Sequence, residues 1–147
     1  MDTIETVREG QMKALVVERS STMRSVLRRL LSMRGFDVTE ADSVRVALDI
    51  LNRLGASDIA IVQWNVQDFK TLELIARLRN QPPHKTTIIL LADAEPGIRE
   101  LKQTIMVGAD DYLVKPFTSL QIDGKLEHAG LTQGIGGSAD QRGLRCR

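Results

Sequence analysis

The sequence predicts a doubly wound α/β sandwich, a five-stranded parallel sheet with five helices on its two faces. Three observations carry that expectation. Short apolar runs alternate along the chain with amphipathic stretches of helical length, the pattern of successive βα units. Capping and breaking residues punctuate these stretches at the spacing helices need. At 147 residues and 42% hydrophobic content, the chain suits one domain, since a domain of this size buries roughly 68–70% of its unfolded surface.

The segments Ala14 to Val17, Asp37 to Glu40, Ile59 to Val62, Ile88 to Ala92 and Tyr112 to Val114 read as the five strands. Between the first two, Thr22 to Met33 places Met23, Val26, Leu27, Leu30 and Leu31 on one helical face, with Ser20 or Ser21 as N-cap and Gly35 as the stop. A second helix, Val44 to Leu54, follows Asp42 or Ser43 as cap, and a third, Leu72 to Arg79, ends before Pro82-Pro83. Pro96 suits the first turn of a fourth helix that Gly108 closes. Ser119 caps a fifth helix running to about His128, weakened by Gly124, which costs about 1 kcal/mol relative to alanine. Right-handed crossovers place the ligand crevice of such a sheet at the carboxyl ends of the strands. Glu18, Gln63, Asp93 and Lys115 all fall at those ends.

Composition narrows the function classes. A net charge of +1 gives no electrostatic case for direct nucleic-acid binding, and Arg24, Arg28, Arg29 and Arg34 read as a solvated helix face. No apolar stretch reaches the roughly 20 residues of a membrane span, and Met1 to Met12 is too polar for a signal peptide. The single cysteine, Cys146, reads as an inert thiol, so a soluble, cytoplasmic protein is expected. Three segments follow: a polar N-terminal segment 1–12, a domain 13–131, and a Gly-, Ser- and Arg-rich tail 132–147 expected to be disordered.

Two runs carry a family resemblance: Lys13-Ala14-Leu15-Val16-Val17-Glu18-Arg19-Ser20-Ser21-Thr22-Met23-Arg24 and Gly108-Ala109-Asp110-Asp111-Tyr112-Leu113-Val114-Lys115-Pro116-Phe117. With them the chain resembles, from Lys13 to Leu131, the receiver domain of bacterial two-component response regulators, and especially their single-domain chemotaxis members. The resemblance implies the flavodoxin-like receiver fold and roles for particular positions. Gln63 stands where the family carries its phosphoacceptor aspartate. Glu18 and Arg19 stand at the acidic pair that holds the metal. Asp93 replaces the switch Ser or Thr, and Tyr112 matches the aromatic switch residue. Lys115 matches the phosphate-contacting lysine, and Pro116 follows it through a bond that is cis in the family. Lys102, Tyr112 and Lys125 fall on the output face built by the fourth helix, fifth strand and fifth helix.

These departures predict a pseudo-receiver. An amide such as Gln63 is a poor nucleophile and forms no acyl phosphate. Two carboxylates and two cations among Glu18, Arg19, Asp93 and Lys115 cancel without a metal, so Mg²⁺ binding is expected to be lost and no cofactor is expected. Arg19 is expected to take the ion's place by pairing with Asp93 or Glu18, with Lys115 on the other carboxylate. Trp64 is expected to pack under the altered loop that follows Gln63. The predicted function is therefore phosphorylation-independent signalling through a protein partner on the output face, with no catalysis and with homodimer formation open. Alternatives are a phosphorelay receiver using another acceptor, such as Asp68, and a small flavodoxin-like enzyme or nucleotide binder. Against the latter, the turn Glu18-Arg19-Ser20-Ser21-Thr22 lacks phosphate-cradling glycines. An effector, if any, would be a separate protein. Asp58 lies at the wrong end of its strand, and His84 and His128 lack metal-ligand spacing.

Overall fold

The computed structural model describes residues 12–53, 55, 57–64, 70–81, 86–93 and 108–131. Within them the chain runs β1 (Met12–Val17), α1 (Ser21–Ser32), β2 (Phe36–Ala41), α2 (Val44–Leu51), β3 (Ile59–Gln63), α3 (Lys70–Asn80), β4 (Ile88–Asp93), β5 (Asp111–Val114) and α4 (Ser119–Ala129). The five strands form one sheet in the order β2-β1-β3-β4-β5 with every pairing parallel, as expected. Four helices stand among the described residues. The helix expected from Pro96, the polar N-terminal segment up to residue 11 and the tail 132–147 lie outside them. β1 begins at Met12, one residue before the expected domain start.

Alternation along each strand divides the core in two. Leu15 and Val17 of β1, Ala60 and Val62 of β3, and Ile89 and Leu91 of β4 pack toward α2 and α3 with Leu51, Leu74, Ile75 and Leu78. On the other face Ala14, Val16, Ile59, Ile61, Leu90 and Leu113 meet Leu27 and Leu31 of α1 and Ile122 and Leu126 of α4. Each fully buried aliphatic side chain contributes about 1.5–3 kcal/mol, which fixes the register and carries the strand ends to a common rim.

The helix ends follow local chemistry. Ser20 and Ser43, each one of two expected candidates, accept the Met23 and Val46 N–H groups. The fifth expected helix, here α4, is capped by Thr118 instead of Ser119. Thr118 holds the extended cap conformation and its hydroxyl accepts the Gln121 N–H, while Ser119 is already helical and its Oγ accepts from Arg34. α2 stops at Leu51, short of the expected Leu54, and α3 extends to Lys70 and Asn80. Gly35, at φ 89°, takes the left-handed turn after α1.

Candidate functional site

The register Val17↔Val62, Gln63↔Ala92 and Asp93↔Val114 lines up the carboxyl ends of β1, β3, β4 and β5. The chain reverses its strand order at β1 and β3, the place where sheets of this kind hold ligands.

Glu18 follows β1 directly and extends its buried run, being only 1% exposed. Its main-chain N–H donates to the Ala41 carbonyl at 3.0 Å, and its Oε2 accepts the Ser20 N–H at 2.9 Å. Its Oε1 lies 3.2 Å from Nζ of Lys115, whose side chain is mostly buried. That contact is a charge pairing without hydrogen-bond alignment, because Oε1 is otherwise unpartnered. The pair spans the rim from the end of β1 to the end of β5, and the Lys115–Pro116 bond beside it is cis.

Of the two partners expected for Arg19, Glu18 is held by Lys115 instead, and the Asp93 side chain lies outside the description; Arg19 itself is exposed. Strand alternation turns Glu18 and the next side chain to opposite faces of the sheet. The main chain of Arg19 makes the contact: its N–H donates to Oε1 of Gln63 at 2.8 Å. Gln63, the last residue of β3, is half-buried. Asp93 ends β4 on the same rim, and its side chain lies outside the description.

Arg24 was missed as a site residue. Its NH1 donates to the Glu18 carbonyl at 2.8 Å and to the Arg19 carbonyl at 3.3 Å, and its Nε pairs with Glu40 at 3.2 Å. The solvated helix face expected of the α1 arginines therefore fails for Arg24, and also for Arg34, which reaches Asp123 and Ser119 of α4. The sequence signal for Arg24 was its place one turn after the cap Ser20.

The other named residues fall apart from this cluster. Tyr112 is half-buried in β5 with Nζ of Lys125 4.6 Å from its ring centroid, and Lys125 also pairs with Asp111 at 3.0 Å. Lys102, Asp68, His84, Cys146 and the loop 65–69 lie outside the described residues. Trp64 is buried in the core on the α2 and α3 face, and its main-chain N–H donates to the Ala92 carbonyl at 2.8 Å. Asp58 accepts the Lys13 N–H at 2.8 Å at the far end of β3, and His128 is exposed on α4. Among the described residues no three His, Cys, Asp or Glu side chains are grouped to hold a metal, and no helix is long and apolar enough to cross a membrane.

Beside Gln63 the rim opens into a crevice of about 50 Å³, lined by Arg19, Asp42, Ser43 and Thr71 over Val17 and Val44.

Residues 14–127 match the family described as response regulator receiver domain. A chemotaxis protein CheY homolog of Campylobacter jejuni is 34% identical over 117 residues, covering 79% of this chain and 90% of that protein. Chemotaxis protein CheY1 of Helicobacter pylori is likewise 34% identical, over 79% of this chain and 94% of its own length. Among solved structures, the chemotaxis protein CheY4 of Vibrio cholerae superposes with a TM-score of 0.74 at 27% identity, covering 82% of this chain and 99% of that one.

Proposed function

The chain belongs to the response regulator receiver domain family of two-component signalling, and from that premise we propose that it signals without being phosphorylated, through contact with another protein. One observation carries the reading. The phosphoacceptor position holds Gln63, whose amide oxygen is occupied by the Arg19 N–H at 2.8 Å. An amide held this way offers no nucleophile for a phosphoryl group.

The remaining donor set does not fit a divalent ion. Mg²⁺ takes about six oxygens and relies on carboxylates to offset its charge. At this rim Glu18 already faces Lys115 and the Ser20 N–H, and the neighbouring acidic position is the cation Arg19. No step through a metal or a phosphoryl group follows. The protein is a binding module with no catalytic chemistry, working in the cytoplasm without nucleic acid or membrane. Its partner meets the face of β5 and α4 that carries Tyr112 and Lys125, together with Lys102 and the helix expected before β5; the partner's place can also be taken by a second copy.

Incubation with acetyl phosphate and Mg²⁺ tests the reading by intact mass. The wild-type chain is expected to gain no phosphoryl mass, and so is the Gln63→Asp variant, because Lys115 is committed to Glu18 and Arg19 stays beside the new carboxylate. A base-labile phosphoryl adduct on the wild type would establish a different acceptor. An adduct on the variant alone would show a receiver disabled at one position.

A further inference from the structure

The helices α1 and α4 lie on one face of the sheet, each burying Leu27 and Leu31 or Ile122 and Leu126 in a common core. Helical spacing then turns the opposite stripes, Ser25, Val26, Arg29 and Met33 of α1 and Leu120, Gly124 and Glu127 of α4, outward in the same direction. That outer surface carries apolar groups the single chain does not cover. Leu120 is 84% exposed and Met33, the C-cap of α1, is 73% exposed. Of the large hydrophobic side chains exposed among the described residues, only Val46 lies elsewhere, on α2. Between α1 and the turn that leads into α4, an open crevice of about 330 Å³ is lined by the buried or half-buried Val26, Leu30 and Phe117, with the exposed Ser25 and Arg29 at its lip.

One exposed leucine is ordinary on a protein surface, but a leucine and an unfilled apolar crevice facing the same way form a knob and a hole that cannot meet within one chain. Charge follows the same division. Arg29 is exposed and makes no ion pair among the described residues. On α4 the exposed acids are Asp123 and Glu127, of which Asp123 gives only Oδ1 to Arg34. Gly124 completes the stripe one turn after Leu120, and an added Cβ there would meet nothing within 4 Å. A glycine inside a helix costs stability, and what it offers in return is a bare turn that a second backbone can approach closely.

The α1 side thus holds the hole and the cation, and the α4 side holds the knob, the anions and the bare turn. A second copy rotated by a twofold axis sets α4 against α1 and α1 against α4, so both halves are satisfied at once and the assembly closes at two. We propose that the chain forms a symmetric dimer through this surface, with Leu120 of each copy in the α1 crevice of the other and Arg29 facing the acidic stripe. Lys125 lies on a different side of α4, against Tyr112 of β5, so the dimer leaves that face open and presents it twice. The dimer does not depend on whether the rim takes a phosphoryl group.

Sedimentation of the full chain from micromolar to millimolar concentration tests it, with a monomer–dimer equilibrium expected. Leu120→Ser should weaken the dimer about a hundredfold, about tenfold for each of the two symmetry-related contacts. Gly124→Gln places a side chain in space that is empty in the monomer, so it should keep the fold, as read by a thermal melt no lower than wild type, and still weaken the dimer about tenfold. A chain that remains monomeric throughout, as expected if the surface serves a different protein, or a dimer undiminished in either variant, would overturn the proposal.

Discussion

Glu18 is the residue on which the rim turns, since a carboxylate at 1% exposure is stable only while its partners remain. Lys115→Met removes the cation that faces Oε1 among the described residues and is expected to cost about 3 kcal/mol, because breaking a buried pair strands the remaining charge. Glu18→Gln with Lys115→Met should restore stability to within about 1 kcal/mol of wild type, since the glutamine oxygen still accepts the Ser20 N–H and no charge is left behind. Urea midpoints at unchanged slope measure both. The positions of Glu18, Gln63 and Lys115 at the strand ends were legible in the sequence through run lengths and family resemblance. The pairing was not, because Glu18 and Arg19 are adjacent and only the inward or outward turn of each side chain decides which meets Lys115. Arg24 was hidden for a similar reason, its guanidinium folding back over the loop that precedes its own helix.

Two glycines separate a removable cost from a required shape in the helices and turns. Gly124 lies inside α4 with nothing within 4 Å of an added Cβ, so Gly124→Ala is expected to stabilise the protein by about 0.5–1 kcal/mol. Gly108 sits at φ +133°, where an added Cβ would come within 3.0 Å of Cγ of Arg79. Arg79 also donates to the carbonyls of Gly108 and Thr87, so Gly108→Ala should destabilise by about 1–3 kcal/mol. Thermal melts of the two variants should move in opposite directions. α1 and α4 are joined through Arg34, whose hydrogen bond and charge hold the Asp123 carboxyl below its ordinary value. A depressed carboxylate contributes stability above its unfolded pKa and loses it as pH falls through the folded one. The contribution is therefore intact at neutral pH and fades only in acid, as the pH falls below the ordinary aspartate range. An NMR titration of the Asp123 side chain should show a low midpoint that returns to the ordinary range in Arg34→Met. Element types were readable from periodicity, whereas the cap of α4 was not, since Thr118 and Ser119 are equivalent as letters and differ only in backbone conformation.

Across the whole molecule, apolar runs were enough to predict the parallel sheet and the rim its strands share, because the inner strands β1, β3 and β4 are buried on both faces and composition marks them. Pairings that cross the sheet left no such mark: the tie from Glu18 to Lys115 joins residues nearly a hundred positions apart, over β3 and β4. Its burial has a consequence in ionic strength. At about 1 M salt the screening length falls to roughly 3 Å, which quiets charges bathed in solvent and barely touches those that are not. The pairs Arg28–Glu40 and Arg34–Asp123 each have a partner more than half exposed and should be silenced. The penalty of Lys115→Met, measured at low and at high NaCl, should stay nearly constant, while that of Asp123→Asn should shrink toward zero. A strut that salt does not reach holds the carboxyl rim in one arrangement in dilute and concentrated surroundings alike, so whatever docks there meets the same surface in both.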